Sequence, residues 1–436
     1  MKWFDLPGLR LAAFGVVLIA VCASAQLPGA GSSGDGGPEP SRCLTEAVIH
    51  VTANPTSVTL GQSSVVSWSV GLPERCSGVH VRFNGQAVAA NGSQSVTPVR
   101  TSSFTVLVSE THLGVFGQKS VSAQVAVGYP PRVVIDPTTR DPVRVLLGAL
   151  VDSTNPEQTV ELCNVDLDLT GMSGIVIGEN RSLIASPACA RGPRSLGPRI
   201  FVTDRRGSKA LFEIRGDHVR FSGFRLEGPT DGIAQGDTKE KGILISPFAS
   251  AAPIRNIEIT NMEIFHWSGV GVEVGDNVDL AERGRLFNTN VGAVRIKGNF
   301  FHHNRHGAGE GYGVDVGGGA YALIEQNVFD ENCHAIAGGS HNTGGGGGDY
   351  SGYTARDNLI LPGGGLHCLE GVLGGLLIWR FNCSQTHQID MHGDQNEWYS
   401  SHNWQCGTAG ETMIIERNTI LYSSGTAIKK IGRAHV

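Results

Sequence analysis

The sequence predicts an all-β chain, a right-handed parallel β-helix preceded by a small β-sandwich. Three observations predict it. Gly supplies 60 of 436 residues and charged residues only 17%, a composition suited to many tight turns rather than to amphipathic helices. Between residues 46 and 127, short alternating strands are separated by turn signals. Beyond residue 210, a unit of strand, Asn and apolar-x-apolar recurs. The length allows two folded units.

The N-terminus reads as a secretory signal, residues 1–25. Lys2 and Arg10 accompany an apolar run from Leu11 to Cys22, and Ala23, Ser24 and Ala25 form a small-residue cleavage site. The run is too short for a membrane span, so none is expected in the mature chain. A lipoprotein reading would acylate Cys22, but Val21 precedes it where a small residue is preferred. The signal implies a secreted, periplasmic or cell-surface protein of bacterial type. Residues 26–42, rich in Gly, Ser and Pro, form a flexible linker.

Residues 43–128 form the sandwich. Residues 64–69 and 103–108 alternate apolar and polar side chains, and Asn54-Pro55, Gly61-Gln62, Asn84-Gly85 and Asn91-Gly92 mark turns. The spacing Pro55, Val58, Gly61, Trp68 resembles bacterial Ig-like domains, which implies a spacer role. Tyr129, Pro130 and Pro131 form a stiff hinge.

Residues 132–430 form the β-helix. The segments 219–226, 257–264, 293–300, 322–329, 353–360 and 413–420 repeat one pattern. Such a unit cannot bury its apolar face alone and must stack on its neighbours. Asn261, Asn299, Asn327, Asn358 and Asn418 are expected to stack as a ladder at a tight corner in left-handed conformation, with Asn382 in the same series. The Gly run 344–348 maps to a loop. The repeat stops in mid-coil near Lys430. Residues 431–436 match one frame of a sequencing-library adapter, so they are read as an artefact of a truncated end.

Nine Cys less Cys22 leaves eight, an even number that favours disulfides in an exported chain. The groupings are Cys43 with Cys76, Cys163 with Cys189, and pairing among Cys333, Cys368, Cys383 and Cys406. No two Cys are spaced closely enough for a zinc site. Formal net charge is −6, which argues against a nucleic-acid partner.

The candidate site comes from aligning coils on their Asn. His306 follows Asn299 by seven residues, His334 follows Asn327 by seven, and His387 follows Asn382 by five. The alignment stacks these imidazoles on one face, ~4.8 Å apart from coil to coil; His367 has a different offset. In the run 387–394, Asp390 and His392 share a strand face, and Ile389 and Met391 point to the core. Three readings are open. A carboxylate beside imidazole makes a general base or acid near neutral pH. His387, Asp390 and His392 could instead ligate a divalent metal with an open position for water. The third reading is a structural row of imidazoles, with Asp390 a turn residue.

The run from Asn327 through His334 to Gly338, with His387, Asp390, His392 and Gly393, resembles secreted bacterial β-helix repeat proteins of the pectate-lyase-like superfamily, over residues 210–430. Alginate C5-epimerases in that fold carry Tyr-x-x-Asp-x-His. This chain matches at Asp390 and His392, with His387 in place of Tyr and Met391 where Pro is usual. The resemblance implies a carbohydrate-active protein, acting on an acidic polysaccharide by lyase- or epimerase-type proton abstraction or by hydrolysis. The alternative is a non-catalytic glycan-binding or adhesion protein. Arg305, Arg356 or Arg380 would supply the cation that neutralises a uronate. Tyr312 and Asp315 are read as turn residues, and His302, His303 and His341 as surface residues. A monomer is expected, with polysaccharide as the partner and no organic cofactor.

Overall fold

The structure is a computed structural model. It describes residues 42–431 apart from 75, 77, 113–114, 152–154, 190–195, 205–206, 208, 231–238, 247–253, 276–293, 307–309, 318–319, 340–350, 362–369, 374–375, 381–386, 393–411 and 422–425. The expected signal and the linker up to residue 41, together with Asn382, Cys368, Cys383, Cys406, His341, His367 and residues 432–436, lie outside the described residues.

The N-terminal unit has two sheets with a shared core. Val48–Asn54, Ser64–Gly71 and Asn91–Val96 form one, antiparallel throughout. The other orders Ser57–Thr59, Val115–Gly128, Ser102–His112, Val79–Phe83 and Gln86–Ala87, with only the first pair parallel. Period-two alternation dictates this, because it turns Val66, Trp68 and Val70 inward. Trp68 stacks on Phe83 with ring centroids 4.7 Å apart, and its indole N–H donates to Ala89 O at 3.0 Å. Gly92 leaves room for that indole, since a Cβ there would lie 2.6 Å from it. The Cys43–Cys76 disulfide ties the short helix Arg42–Glu46 to this unit.

The rest of the described chain is built on three long parallel sheets of nine, eight and eight strands. The chain visits them in rotation, so through the middle of the stack each strand pairs with the one three further along, and toward the end an antiparallel pair, Glu370–Leu373 with Leu376–Arg380, intervenes. Ile257–Thr260, Glu263–Phe265 and Val270–Val274 make one coil. Val294–Lys297, Phe300–His302 and Tyr312–Val316 stack directly on it. Tyr321–Glu325, Val328–Asp330 and His334–Gly338 follow. This arrangement is compatible with a parallel β-helix. Equivalent residues of successive coils stack inside, as Phe301 does on Phe329 at 5.1 Å. Burying each such side chain contributes about 1.5–3 kcal/mol.

A helix escaped the sequence reading. The helix Pro142–Val151 buries Val145, Leu146, Ala149 and Leu150 in the same core as Ile135, Leu162 and Leu167, covering the first coil. The Cys163–Cys189 disulfide joins that coil to the next, because Cys163 follows the strand Gln158–Leu162 and Cys189 follows Arg181–Ala185, which stacks on it. Tyr129, at the expected hinge, is buried against this helix; its hydroxyl donates to Val99 O of the N-terminal unit. Gln158 Nε2 donates to Pro130 O at 2.8 Å. The junction is therefore a packed joint.

The Asn ladder is present, with one register correction. Asn299, Asn327, Asn358 and Asn418 stack, and the Oδ1 of each of the last three accepts both the backbone N–H and the Nδ2 of the preceding rung at 2.9–3.0 Å. Each Nδ2 also donates to a carbonyl of that preceding coil, such as Ile296 O from Asn327. Asn261 is not a rung. Met262 stands there and donates its N–H to Asn299 Oδ1 at 3.0 Å. The left-handed residues are those just before the rungs: Asn261, Gly298, Gln326, Asp357 and Arg417, with φ between 53° and 68°. The turn and the side-chain ladder thus use adjacent residues rather than one.

A second correction concerns Cys333. It is a buried thiol and not a disulfide partner. It accepts the His306 N–H at 3.3 Å inside the stack, and burial pushes the thiol well above its usual range. The strand Thr426–Ile431 pairs with His387–His392 on the third sheet.

Candidate functional site

Some side chains of the third sheet lie outside the apolar core cluster, and several of these, His334 and Asp390 included, are nonetheless buried. Backbone pairing sets Lys241, Val270, Tyr312 and His334 in one column. Leu244, Glu273, Asp315 and Ala337 form a second. Ile336 pairs with Ile389, which carries Asp390 into the second column. Residues 56 apart in sequence are thereby neighbours: His334 Nδ1 lies 3.8 Å from Asp390 Oδ2. The His334 side chain is 8% exposed and that of Asp390 0%. Ile389 and Met391 face the core, as strand alternation requires. Met391 Cε would be only 2.8 Å from a Cβ at Gly338.

Tyr312 completes the group. Its ring packs on the His334 imidazole at 4.9 Å between centroids. Burial, with the carboxylates Asp315, Asp390 and Glu310 nearby, pushes its phenol well above the usual range, so it stays protonated. From the core side, Tyr353 OH donates to the Asp390 backbone carbonyl at 2.6 Å and pins that strand.

The expected column of histidines is only partly realised. His334 and Asp390 come together. His306 does not join them, because Tyr312 occupies the position opposite His334. The cause is an insertion after His306. Gly311, at φ 102°, returns the chain so that Gly311 and Tyr312 both donate N–H groups to Gly269 O at 2.9 Å. Any Cβ at Gly311 would meet Asn304 O at 2.6 Å. His306 lies buried instead near Glu310, its Nδ1 4.0 Å from that carboxylate, and Glu310 also pairs with Lys239. His387 and His392 sit on the strand His387–His392, but their side chains lie outside the described residues.

Tyr312 and Asp315 are therefore strand residues, not turn residues. The expected cations also move. Arg305 pairs with Glu331, and Arg356 donates to Glu325 at 2.7 Å on the first sheet. Arg380 lies outside the described side chains. Among the described side chains, Lys241 on the third sheet lies 2.5 Å from Glu273, and Lys239, two residues before that strand, pairs with Glu310. A sequence signal for Tyr312 existed: Tyr312-Gly313-Val314 and His334-Ala335-Ile336 share a small residue and then a β-branched one.

Among the described residues, no group of three or more His, Cys, Asp or Glu side chains is placed to hold a metal ion. The proposed ligands His387 and His392 are not tested by this. No described helix is long and apolar enough to cross a membrane. Comparison with protein-family models, curated proteins and solved structures returns no match.

Chemically, the group can move protons. A carboxylate 3.8 Å from an imidazole favours the charged form of that ring electrostatically, without a hydrogen bond to fix its tautomer. A neutral phenol packed on the same imidazole is a proton donor.

Proposed function

We propose that this chain is a secreted carbohydrate-active protein acting on an acidic polysaccharide, with His334 as the base and Asp390 as the carboxylate that favours its charged form. The observation that carries the reading is the buried Asp390 carboxylate 3.8 Å from His334 Nδ1 on adjacent strands of one sheet. It fits with a right-handed β-helix of the pectate-lyase-like kind behind an Ig-like spacer, and with export through an N-terminal signal.

A uronate carries an acidic C–H next to its carboxylate. His334 would remove that proton, and Asp390 would stabilise the imidazolium that forms. Tyr312 OH would protonate the leaving glycosidic oxygen in a lyase, or return a proton to the opposite face in an epimerase. Lys241, in the column of Tyr312 and His334, would face the uronate carboxylates. General acid–base catalysis of this kind contributes about 10²–10⁴-fold.

The test is the purified chain on pectate, alginate and glycosaminoglycan panels. Ultraviolet absorbance reads unsaturated products, and proton NMR reads C5 inversion and new reducing ends. The reading expects turnover on at least one polyuronate that vanishes in folded His334→Ala. Glycan retention without turnover, unchanged in that variant, would instead identify a glycan-binding or adhesion protein.

A further inference from the structure

The second corner, between the second and third sheets, holds a chain of hydrogen bonds that the site does not use. Glu263 Oε1 lies 3.0 Å from His302 Nε2. His302 Nδ1 lies 2.9 Å from His303 Nδ1. His303 Nε2 lies 3.0 Å from Glu331 Oε2. The three segments belong to successive coils, so two adjacent imidazoles bridge two carboxylates across the stack.

Counting protons along this chain gives a definite result. Both ends are ionised. Burial works against the Glu263 charge, but hydrogen bonds from His302 and Arg225 hold its carboxyl below the usual range. Arg305 pairs with Glu331. An ionised carboxylate only accepts, so each Nε2 must carry a proton. The link between the two Nδ1 atoms then needs one donor and one acceptor. Two neutral imidazoles bring two protons, and this chain requires three. We propose that His302 and His303 together bind one extra proton, shared across their Nδ1 atoms, as a single cationic pair that clamps three coils at this corner.

The surroundings say which ring carries the charge. His302 lies between two aromatic rings: Phe265 stacks on it at 4.7 Å with 14° between planes, and Phe300 packs at 4.4 Å. The negative faces of those rings favour a cation. His303 faces the opposite influences. Burial, Arg305, His302 and His266 push it down to about 4, against a smaller pull from Asp330. His303 is thus the neutral acceptor, and His302 the imidazolium. The third imidazole, His266, is 3.4 Å from Glu227 and meets both rings edge-on.

The pair makes the corner sensitive to acid. The His303 value of about 4 is depressed from an ordinary 6.5. The unfolded chain therefore binds more protons in that interval, and the stability this corner contributes falls as pH drops from about 6.5 through about 4. A fourth proton sets two N–H groups against each other 2.9 Å apart. Asn304 and Asn332 stack in a second ladder at this corner, and Asn332 leads into the strand of His334 two residues on. Opening here would loosen that strand.

The experiment is nitrogen NMR of the full chain labelled with ¹⁵N-histidine at pH 7. His302→Gln and His303→Gln assign the two rings; if neither variant folds, Overhauser contacts to Phe265 and Phe300 assign His302. The proposal expects one ring with both nitrogens protonated and its neighbour protonated at Nε2 alone. Two neutral rings with both Nδ1 atoms bare would overturn it, as would two doubly protonated rings.

Discussion

Tyr353 reaches from the first sheet across the core and donates its hydroxyl to the backbone carbonyl of Asp390, 2.6 Å away on the third. Neither end is exposed. Burial and the charges of Asp390 and Asp315 keep this phenol protonated. The bond ties a core side chain to the strand that supplies the candidate site's carboxylate. Tyr353→Phe keeps the ring and removes the donor. It should lower stability by about 1–2 kcal/mol, the cost of stranding a buried acceptor. A urea midpoint indistinguishable from wild type would show that the bond contributes nothing.

The Asn ladder makes a graded prediction. Asn327 is buried, and its Oδ1 satisfies two donors of Asn299 while its Nδ2 reaches Ile296 O and Asn358. Asn327→Ala strands several buried groups at about 1–3 kcal/mol each, so a loss of about 3 kcal/mol or more is expected. Asn418 is only half-buried, and water can replace its side chain. Asn418→Ala should cost about 1 kcal/mol. Equal midpoints for the two variants would contradict the ladder as the source of stability.

Glu325 gives a pH prediction. Its buried carboxylate accepts from Arg295 Nε at 2.8 Å and from Arg356 Nη2 at 2.7 Å. Burial raises its pKa, but the two guanidinium groups outweigh this and hold it below the ordinary 4.5. A depressed carboxyl contributes stability that is complete above 4.5 and lost as pH falls through the folded value. Glu325→Gln should therefore flatten the acid limb of the stability curve and lower the plateau at neutral pH. Parallel acid limbs in variant and wild type would rule this carboxylate out as a contributor.

The joint between the units rests on a close approach. A Cβ at Gly148 would come within 1.8 Å of Tyr129 OH. Gly148→Ala must displace either the capping helix or Tyr129, although alanine favours helix by about 1 kcal/mol over glycine. A lower melting temperature is expected, and a higher one would mean that the helix is not seated on Tyr129.

The ladder was legible because its chemistry repeats. An Asn stacked on an Asn needs the same residue at the same strand offset in every coil, and Asn299, Asn327, Asn358 and Asn418 keep it. Its exact geometry was not, because Asn261 also suits a left-handed turn and so mimics a rung. Asn304 and Asn332 each follow a rung by five residues, a regularity that marks the second ladder. The capping helix was hidden because residues 142–151 are apolar on nearly every side, leaving no clear period. At the site, coil alignment singled out His334 and strand alternation within residues 387–394 singled out Asp390. Tyr312 was missed because an insertion shifts it by six residues from His306, and spacing alone does not say which residue re-enters the sheet.

A double-mutant cycle on turnover tests most directly whether His334 and Asp390 form one proton-transferring unit. His334→Ala, Asp390→Asn and the double variant are compared on the polyuronate that wild type turns over best. The account predicts that each single loss is about 10²–10⁴-fold and that the double variant is no worse than His334→Ala alone. Losses that multiply in the double variant, or no turnover by wild type on any polyuronate, would contradict it.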